Sequence, residues 1–346
     1  MFTQFYKLSG RPFQLTPDHR FFFGSRNHTK AMAYLTFGIN TGEGFVVITG
    51  DVGTGKSTLV DHLLSLLDSS KYVAAKVVTT QLDADNILRA VAISFGIPQE
   101  GVDKATLLRR LEEFLYQNQR DGRRLLLLID EAQNLPARSL EELRMLSNFQ
   151  TAGGSPIQVF LLGQPQFRRT LASESLIQLR QRVIATHHLG PMDGDETRAY
   201  IEHRLRIVGW TSDPEFTPEA FSLIHLHTAG VPRRINTLCT RLLLYGMLEE
   251  QHRIDGRTVE QVVGELQQEG QALTAEDPEP PAEAPEAPAA EVPRGEATDL
   301  ARRVAVLERR TDTHERAIRR ALALANESLE ELRGGRAAPL AKRRQT

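Results

Sequence analysis

The residues best able to do chemistry in this chain are those of the string GDVGTGKS, Gly50 to Ser57, which follows the apolar run Phe45–Thr49. Glycines at 50, 53 and 55 let the backbone turn tightly and aim its N–H groups into one concavity. A helix expected to begin near Lys56 adds the positive end of its dipole. The result is a cradle for a polyphosphate, formed by Gly50, Asp51, Val52, Gly53, Thr54, Gly55, Lys56, Ser57 and Thr58. In it Lys56 reaches the β- and γ-phosphates and Ser57 ligates Mg²⁺. Taken alone, the cradle implies only a nucleotide.

Four further features extend the chemistry. Leu125–Ile129 is apolar and is followed by Asp130 and Glu131, two carboxylates at the tip of a buried strand. Two adjacent acids there are costly unless a cation and a water need them. Asp130 is expected to hold Mg²⁺ together with Ser57, and Glu131 to orient and deprotonate an attacking water. Gln164, at the end of the run Phe160–Gly163, is placed to sense the γ-phosphate. Arg182, with Arg180 as second choice, lies just before the last strand, where a guanidinium can be delivered to the γ-phosphate of a neighbouring subunit. Arg233 opens a helix after Gly230-Val231-Pro232. A cation at a helix start opposes the dipole, and this misfit suggests that Arg233 serves a bound nucleotide.

The elements that must position these residues alternate. Strands are expected over Phe45–Thr49, Val73–Thr79, Leu125–Asp130, Ile157–Leu162 and Val183–Leu189. Helices are expected over Ser57–Leu67, Asp83–Phe95, Lys104–Tyr116 and Ser139–Phe149. Near-continuous apolar strands separated by amphipathic helices indicate an α/β fold, a parallel sheet covered on both faces. Ligands of such sheets sit at the carboxyl ends of the strands, where these motifs fall. Before this core (44–189) lies an aromatic entry segment, 1–43. Its Phe2, Phe5, Tyr6, Phe13 and Phe21–Phe23 serve packing or, more narrowly, an adenine pocket, and a helical pattern runs through Ala31, Leu35 and Phe37. After the core, strand signals stop. Helical patterns at Thr197–Val208, Pro218–Thr228, Arg233–Leu248 and Thr258–Gln267 form a small helical domain, 190–269.

Residues 270–297 are dominated by Pro, Ala and Glu and cannot bury enough apolar surface to order themselves. Over 298–333 a heptad series runs through Val304, Thr311, Ile318, Ala325 and Leu332, with a second through Leu300, Leu307, His314 and Ala321. This is a coiled-coil pattern suited to self-association or a protein partner. A basic tail, 334–346, closes the sequence. The 346 residues carry a net charge of −2, which argues against an obligate nucleic-acid coat while leaving room for a local basic patch. The single cysteine, Cys239, makes no internal disulfide and is expected in the core. No apolar run approaches the ~20 residues of a spanning helix. The expected setting is cytoplasmic, with any attachment to the inner membrane made through a partner.

Taken in order, GDVGTGKS, LLLLIDEAQNL, FLLGQPQF, LRQRV and GVPRRIN, with FYKLSGRPFQLTPDHRFFFGS and MLSNFQ, resemble the AAA+ ATPases of the general-secretion ExeA/GspA type. Within that group the chain is most similar to those associated with exosortase A (XrtA), PEP-CTERM and exopolysaccharide systems. The likeness covers roughly 1–268. It implies a P-loop NTPase sheet of order 5-1-4-3-2, a helical lid, ATP with Mg²⁺, and work as a homo-oligomer energising an envelope export system, with the C-terminal helix meeting a protein of that machinery. The alternative is an ATP-switched DNA-binding protein like the transposition ATPases, in which nucleic acid is the partner.

Overall fold

A computed structural model describes residues 1–78, 82–149 and 155–274. The Pro/Ala/Glu segment from 275, the heptad segment and the basic tail lie outside the described residues. In chain order the helices and strands are α1 (Phe2–Phe5), α2 (Arg26–Thr41), β1 (Phe45–Gly50), α3 (Lys56–Leu66), β2 (Tyr72–Val78), α4 (Ala84–Ser94), α5 (Lys104–Arg120) and β3 (Arg124–Asp130). Next come α6 (Ala137–Leu146), β4 (Ile157–Gly163), α7 (Phe167–Leu171), α8 (Ile177–Arg180) and β5 (Val183–Leu189). The chain then runs through α9 (Gly194–Ile207), β6 (Glu215–Phe216), α10 (Pro218–Thr228), α11 (Pro232–Leu248), β7 (Arg253–Ile254) and α12 (Gly256–Thr274).

Five parallel strands form a sheet of order β2-β3-β4-β1-β5, the order that the resemblance implied. Every residue of β1 and β4 is buried, and every residue of β3 but its first. Such strands need both faces covered, and their side chains divide between the faces with the period of two. Phe45, Val47, Leu125, Leu127, Ile129, Val159 and Leu161 meet α4, α5 and α6 on one face. Val46, Ile48, Leu126, Leu128, Phe160 and Leu162 meet α2 and α3 on the other. Each fully buried side chain of this kind contributes roughly 1.5–3 kcal/mol, which makes the central strands a rigid mount for whatever hangs from their carboxyl ends.

The helical domain packs α9–α12 around Ile201, Leu205, Ile224, Ile235, Leu242 and Val259, with Cys239 fully buried among them. It also holds β6 and β7, two residues each, where the sequence pattern gave no strand. Two residues are too few to show a periodicity. The entry segment divides. Tyr6, Leu8, Phe13 and Phe21 are buried in the core of the helical domain. The helix α2 lies on the sheet through Ala31, Leu35 and Ile39. Phe37, expected on that stripe, is 52% exposed, because it sits two residues off the i, i+4, i+8 row and faces the other way. Among the described residues no helix is long and apolar enough to cross a membrane.

Candidate functional site

The loop from β1 to α3 turns through Gly53 and Gly55, at φ +84° and +96°. Glycine is required there twice over. A side chain is strained in that region, and an added Cβ would stand 2.5 Å from Arg233 Cβ at position 53 and 2.9 Å from His28 Nε2 at position 55. Lys56 is only 6% exposed. Its ammonium donates to the carbonyls of Gly50 at 2.7 Å and Asp51 at 3.0 Å. Burial pushes the Lys56 pKa down, against the opposing pull of Glu131, Asp130 and Asp51. The Ser57 hydroxyl donates to Asp130 Oδ2 at 2.8 Å, and the Glu131 N–H donates to Asp130 Oδ1 at 3.0 Å. The ends of β1 and β3 thus bring Lys56, Ser57, Asp130 and Glu131 together, as expected from the motifs.

Glu131 adopts the left-handed conformation, φ 55°, uncommon for a residue with a side chain. Its carboxylate receives two amides, Gln133 Nε2 at 2.5 Å and Gln164 Nε2 at 3.2 Å. Gln133 Oε1 in turn accepts the N–H of Gln164 at 2.9 Å, and Gln166 Nε2 donates to Gln164 Oε1 at 3.0 Å. Gln164 therefore lies at the carboxyl end of β4 beside the carboxylate. Gln133 was not singled out from the sequence. Its signal is only that an amide follows two residues after a strand-end glutamate.

A cavity of about 340 Å³ opens over this loop. Its walls include Val52, Gly53, Lys56–Thr58 and Glu131 from the core, and Arg233 and Asn236 from the helical domain. The entry segment supplies Phe21–Phe23. Arg233 is brought in by backbone as well as side chain, for its N–H donates to Gly53 O at 3.1 Å. Arg182 is not brought in. In the register of β1 with β5, Phe45 faces Val183 while Gly50 faces Leu189, so Arg182 stands at the opposite end of the sheet from its own phosphate loop. Its Nη1 lies 3.3 Å from both the carbonyl and the hydroxyl of Ser147. Arg180 is exposed and donates to Ala172 O at 3.1 Å.

His28 was also missed. It is buried under the loop, with Nε2 3.1 Å from Thr54 O and Nδ1 2.7 Å from Ser25 Oγ. A carbonyl can only accept, so Nε2 carries the proton and Nδ1 accepts from the Ser25 hydroxyl. That hydroxyl oxygen also receives the His28 N–H at 3.3 Å. Burial pushes the imidazole pKa down to about 4. The spacing of Ser25 and His28 reads from sequence as a helix cap, and nothing local ties it to residue 54.

Residues 39–171 match the model of the AAA domain family. The chain is 36% identical over 255 residues to general secretion pathway protein A of Aeromonas hydrophila, a match covering 73% of this chain and 46% of that one. It spans about half the length of that curated relative. Among solved structures, the ORC2 protein of Aeropyrum pernix, in complexes with ADPNP and ADP, is similar at 19% identity and a TM-score of 0.57, over 74% of this chain and 71% of that one. Cdc6p of Pyrobaculum aerophilum is similar at 17% identity and a TM-score of 0.56, over 72% and 71%. At these identities the structural likeness bears on the fold.

Proposed function

The chain belongs to the AAA+ P-loop ATPases of the general-secretion-A type, and from that premise we propose that its site binds ATP with Mg²⁺ and hydrolyses it to ADP and phosphate. The observation that carries the proposal is Glu131, held by two amides at the rim of the cradle, beside the Ser57–Asp130 pair. A protein that only binds nucleotide has no use for such a carboxylate. The donor set of a hydroxyl and a carboxylate, 2.8 Å apart, consists of hard oxygens and fits Mg²⁺. Ser57 and Asp130 would hold the ion, whose chemistry is to neutralise phosphate charge. Lys56 exchanges the carbonyls of Gly50 and Asp51 for phosphate oxygens. Glu131 takes the proton of the attacking water, and Gln164 fixes the position of Glu131 and reaches the γ-phosphate. Arg233, docked on Gly53, carries the state of the nucleotide into the helical domain. Arg182, which stands at the opposite end of the sheet from its own phosphate loop, is assigned to the γ-phosphate of a neighbouring copy, with Arg180 as second choice, and the working form in this reading is an oligomer.

We assign the energy to an envelope export system, on the likeness to general secretion pathway protein A. The narrower exosortase and exopolysaccharide assignment rests on the sequence resemblance. The partner is met through the heptad segment, at the cytoplasmic face of the inner membrane. The test is ATP turnover by purified full-length chain over a concentration series, beside Arg182→Ala and Glu131→Gln. Turnover per chain that rises with concentration and is lost in Arg182→Ala supports shared sites. Glu131→Gln lowers turnover about 10²–10⁴-fold while ADP binding is retained. Unaltered turnover in Glu131→Gln defeats the mechanism, and turnover in Arg182→Ala that is flat and equal to wild type defeats the oligomer.

A further inference from the structure

One face of α9 carries Glu196, Tyr200, His203 and Arg204, spaced i, i+4, i+7 and i+8, so that all four point the same way. Each engages the segment 12–26. Glu196 Oε1 accepts the Arg26 N–H at 2.7 Å. The Tyr200 ring meets Phe23 edge-on at 5.8 Å. His203 Nε2 donates to Phe22 O at 3.0 Å. Arg204 donates to Pro12 O at 2.6 Å and to Gln14 O at 3.4 Å. It also donates to the Tyr200 hydroxyl at 2.7 Å, which donates onward to Asn236 Oδ1 at 2.9 Å.

Arg204 is 6% exposed. The partners of its guanidinium are backbone carbonyls, a phenol and the ring faces of Phe21 and Tyr200, at 4.7 and 5.6 Å. A buried cation satisfied in this way is expensive to keep for packing alone, and its fork geometry suits the gripping of two carbonyls of one chain segment. The gripped segment reaches the other side of the cavity as well. Phe22 stacks on His62 of α3 at 4.0 Å, the helix that begins at Lys56. The segment therefore spans from α9 to the phosphate-loop helix and closes the cavity with Phe21–Phe23.

We propose that the α9 face is a grip on residues 12–26, with Arg204 as its anchor, and that this grip positions the wall of the cavity so as to set nucleotide affinity without taking part in the chemistry. Tyr200 and Arg204 also border the cavity, but the Arg204 guanidinium is taken up by Pro12 O, Gln14 O and the Tyr200 hydroxyl, so Arg204 is a positioning residue in this account. The proposal rests on the reading of the cavity as an ATP site.

The experiment uses the full chain with Arg204→Met, Arg204→Ala, Arg204→Lys and Tyr200→Phe. Three quantities are read: the ADP dissociation constant by calorimetry, KM and kcat for ATP, and the rate of tryptic cleavage after the exposed Arg20. Arg204→Met is expected to weaken ADP binding about 10- to 100-fold, the worth of one charge-assisted hydrogen bond, since only part of the loss of the grip is felt at the cavity wall. KM rises in step, kcat at saturating ATP is retained and cleavage is faster. Arg204→Lys, which keeps the charge but loses the fork, falls between. Added millimolar guanidinium restores affinity to Arg204→Ala, whose truncated side chain leaves room for it, which a general loss of packing would not allow. If Arg204→Met does not fold, Tyr200→Phe keeps the ring, removes only the shared hydroxyl, and must show the same KM shift to a lesser degree. Faster cleavage with unchanged ADP affinity overturns the proposal, as does a fall in kcat at constant KM. Wild-type chain that binds no ADP removes the nucleotide reading itself, a failure that is distinct because it precedes any variant.

Discussion

Gly53→Ala tests whether the docking of the helical domain on the phosphate loop is needed for turnover, and Gly96→Ala is its control. Both glycines have positive φ, +84° and +74°, so alanine at either costs about 1–2 kcal/mol of backbone strain. They differ in surroundings. An added Cβ at 96 meets nothing within 4 Å, whereas at 53 it stands 2.5 Å from Arg233 Cβ. Ordinary carbon–carbon contact is ~3.5–4.0 Å, so α11 must withdraw by about 1 Å or more at its first turn. That lengthens the 3.1 Å bond from the Arg233 N–H to Gly53 O beyond useful range, a further loss of about 0.5–1.5 kcal/mol. At roughly 2–4 °C of Tm for each kcal/mol in a domain of this size, Gly96→Ala should melt several degrees below wild type and Gly53→Ala a few degrees lower still. The separation in activity is larger. A misplacement of about 1 Å costs on the order of 10²-fold, so kcat for ATP falls about 100-fold in Gly53→Ala and stays near wild type in Gly96→Ala. The assay is steady-state phosphate release at saturating ATP, beside thermal melting of the same samples. Equal turnover in the two variants would refute the reasoning, since it would mean that strain alone matters and the contact of Arg233 with the loop does not.

Gln133→Ala removes one of the two amides on Glu131 and the acceptor of the Gln164 N–H. The expected result is a fall in kcat of about 10- to 100-fold, the worth of one hydrogen bond to a charged group, with ADP affinity unchanged. An unchanged kcat in stopped-flow phosphate release goes against the positioning of Glu131. For His28 the imidazole pKa is pushed from 6.5 to about 4 in the folded chain, so the unfolded chain takes up the proton first. Stability is then full above pH 6.5 and is lost as pH falls from 6.5 toward 4, by about 3 kcal/mol at the acid end. Urea melts of wild type across that window should show the slope, and His28→Asn should flatten it. A variant with the same slope as wild type assigns the acid sensitivity elsewhere.

The parts of the site that were legible in sequence are those whose geometry is local. Gly50 to Ser57 sit where a strand ends and a helix begins, and Asp130, Glu131 and Gln164 each end a buried strand, so the parallel order alone carries them to one edge of the sheet. Arg233 was singled out as a misfit, a cation at a helix start; the structure places it beside the loop through its main-chain N–H on Gly53 O, a bond that does not involve the guanidinium. What could not be read depends on pairings across long stretches of chain. His28 and Thr54 are 26 residues apart, and Phe22 and His203 are 181 apart. The i, i+4, i+7, i+8 face of α9 looks in sequence like any solvated polar stripe, because the backbone carbonyls it grips have no signature of their own. The same logic explains Arg182. Its place before β5 was readable, but the role proposed for it depends on a contact between chains, and the register that puts Val183 opposite Phe45 keeps it from its own cradle. A site assembled from strand ends, roofed by a segment that another helix holds in place, divides the labour accordingly. The residues proposed for the chemistry lie in short motifs on the rigid sheet, and the wall of the cavity is held by long-range contacts of the segment 12–26 with α9 and α3.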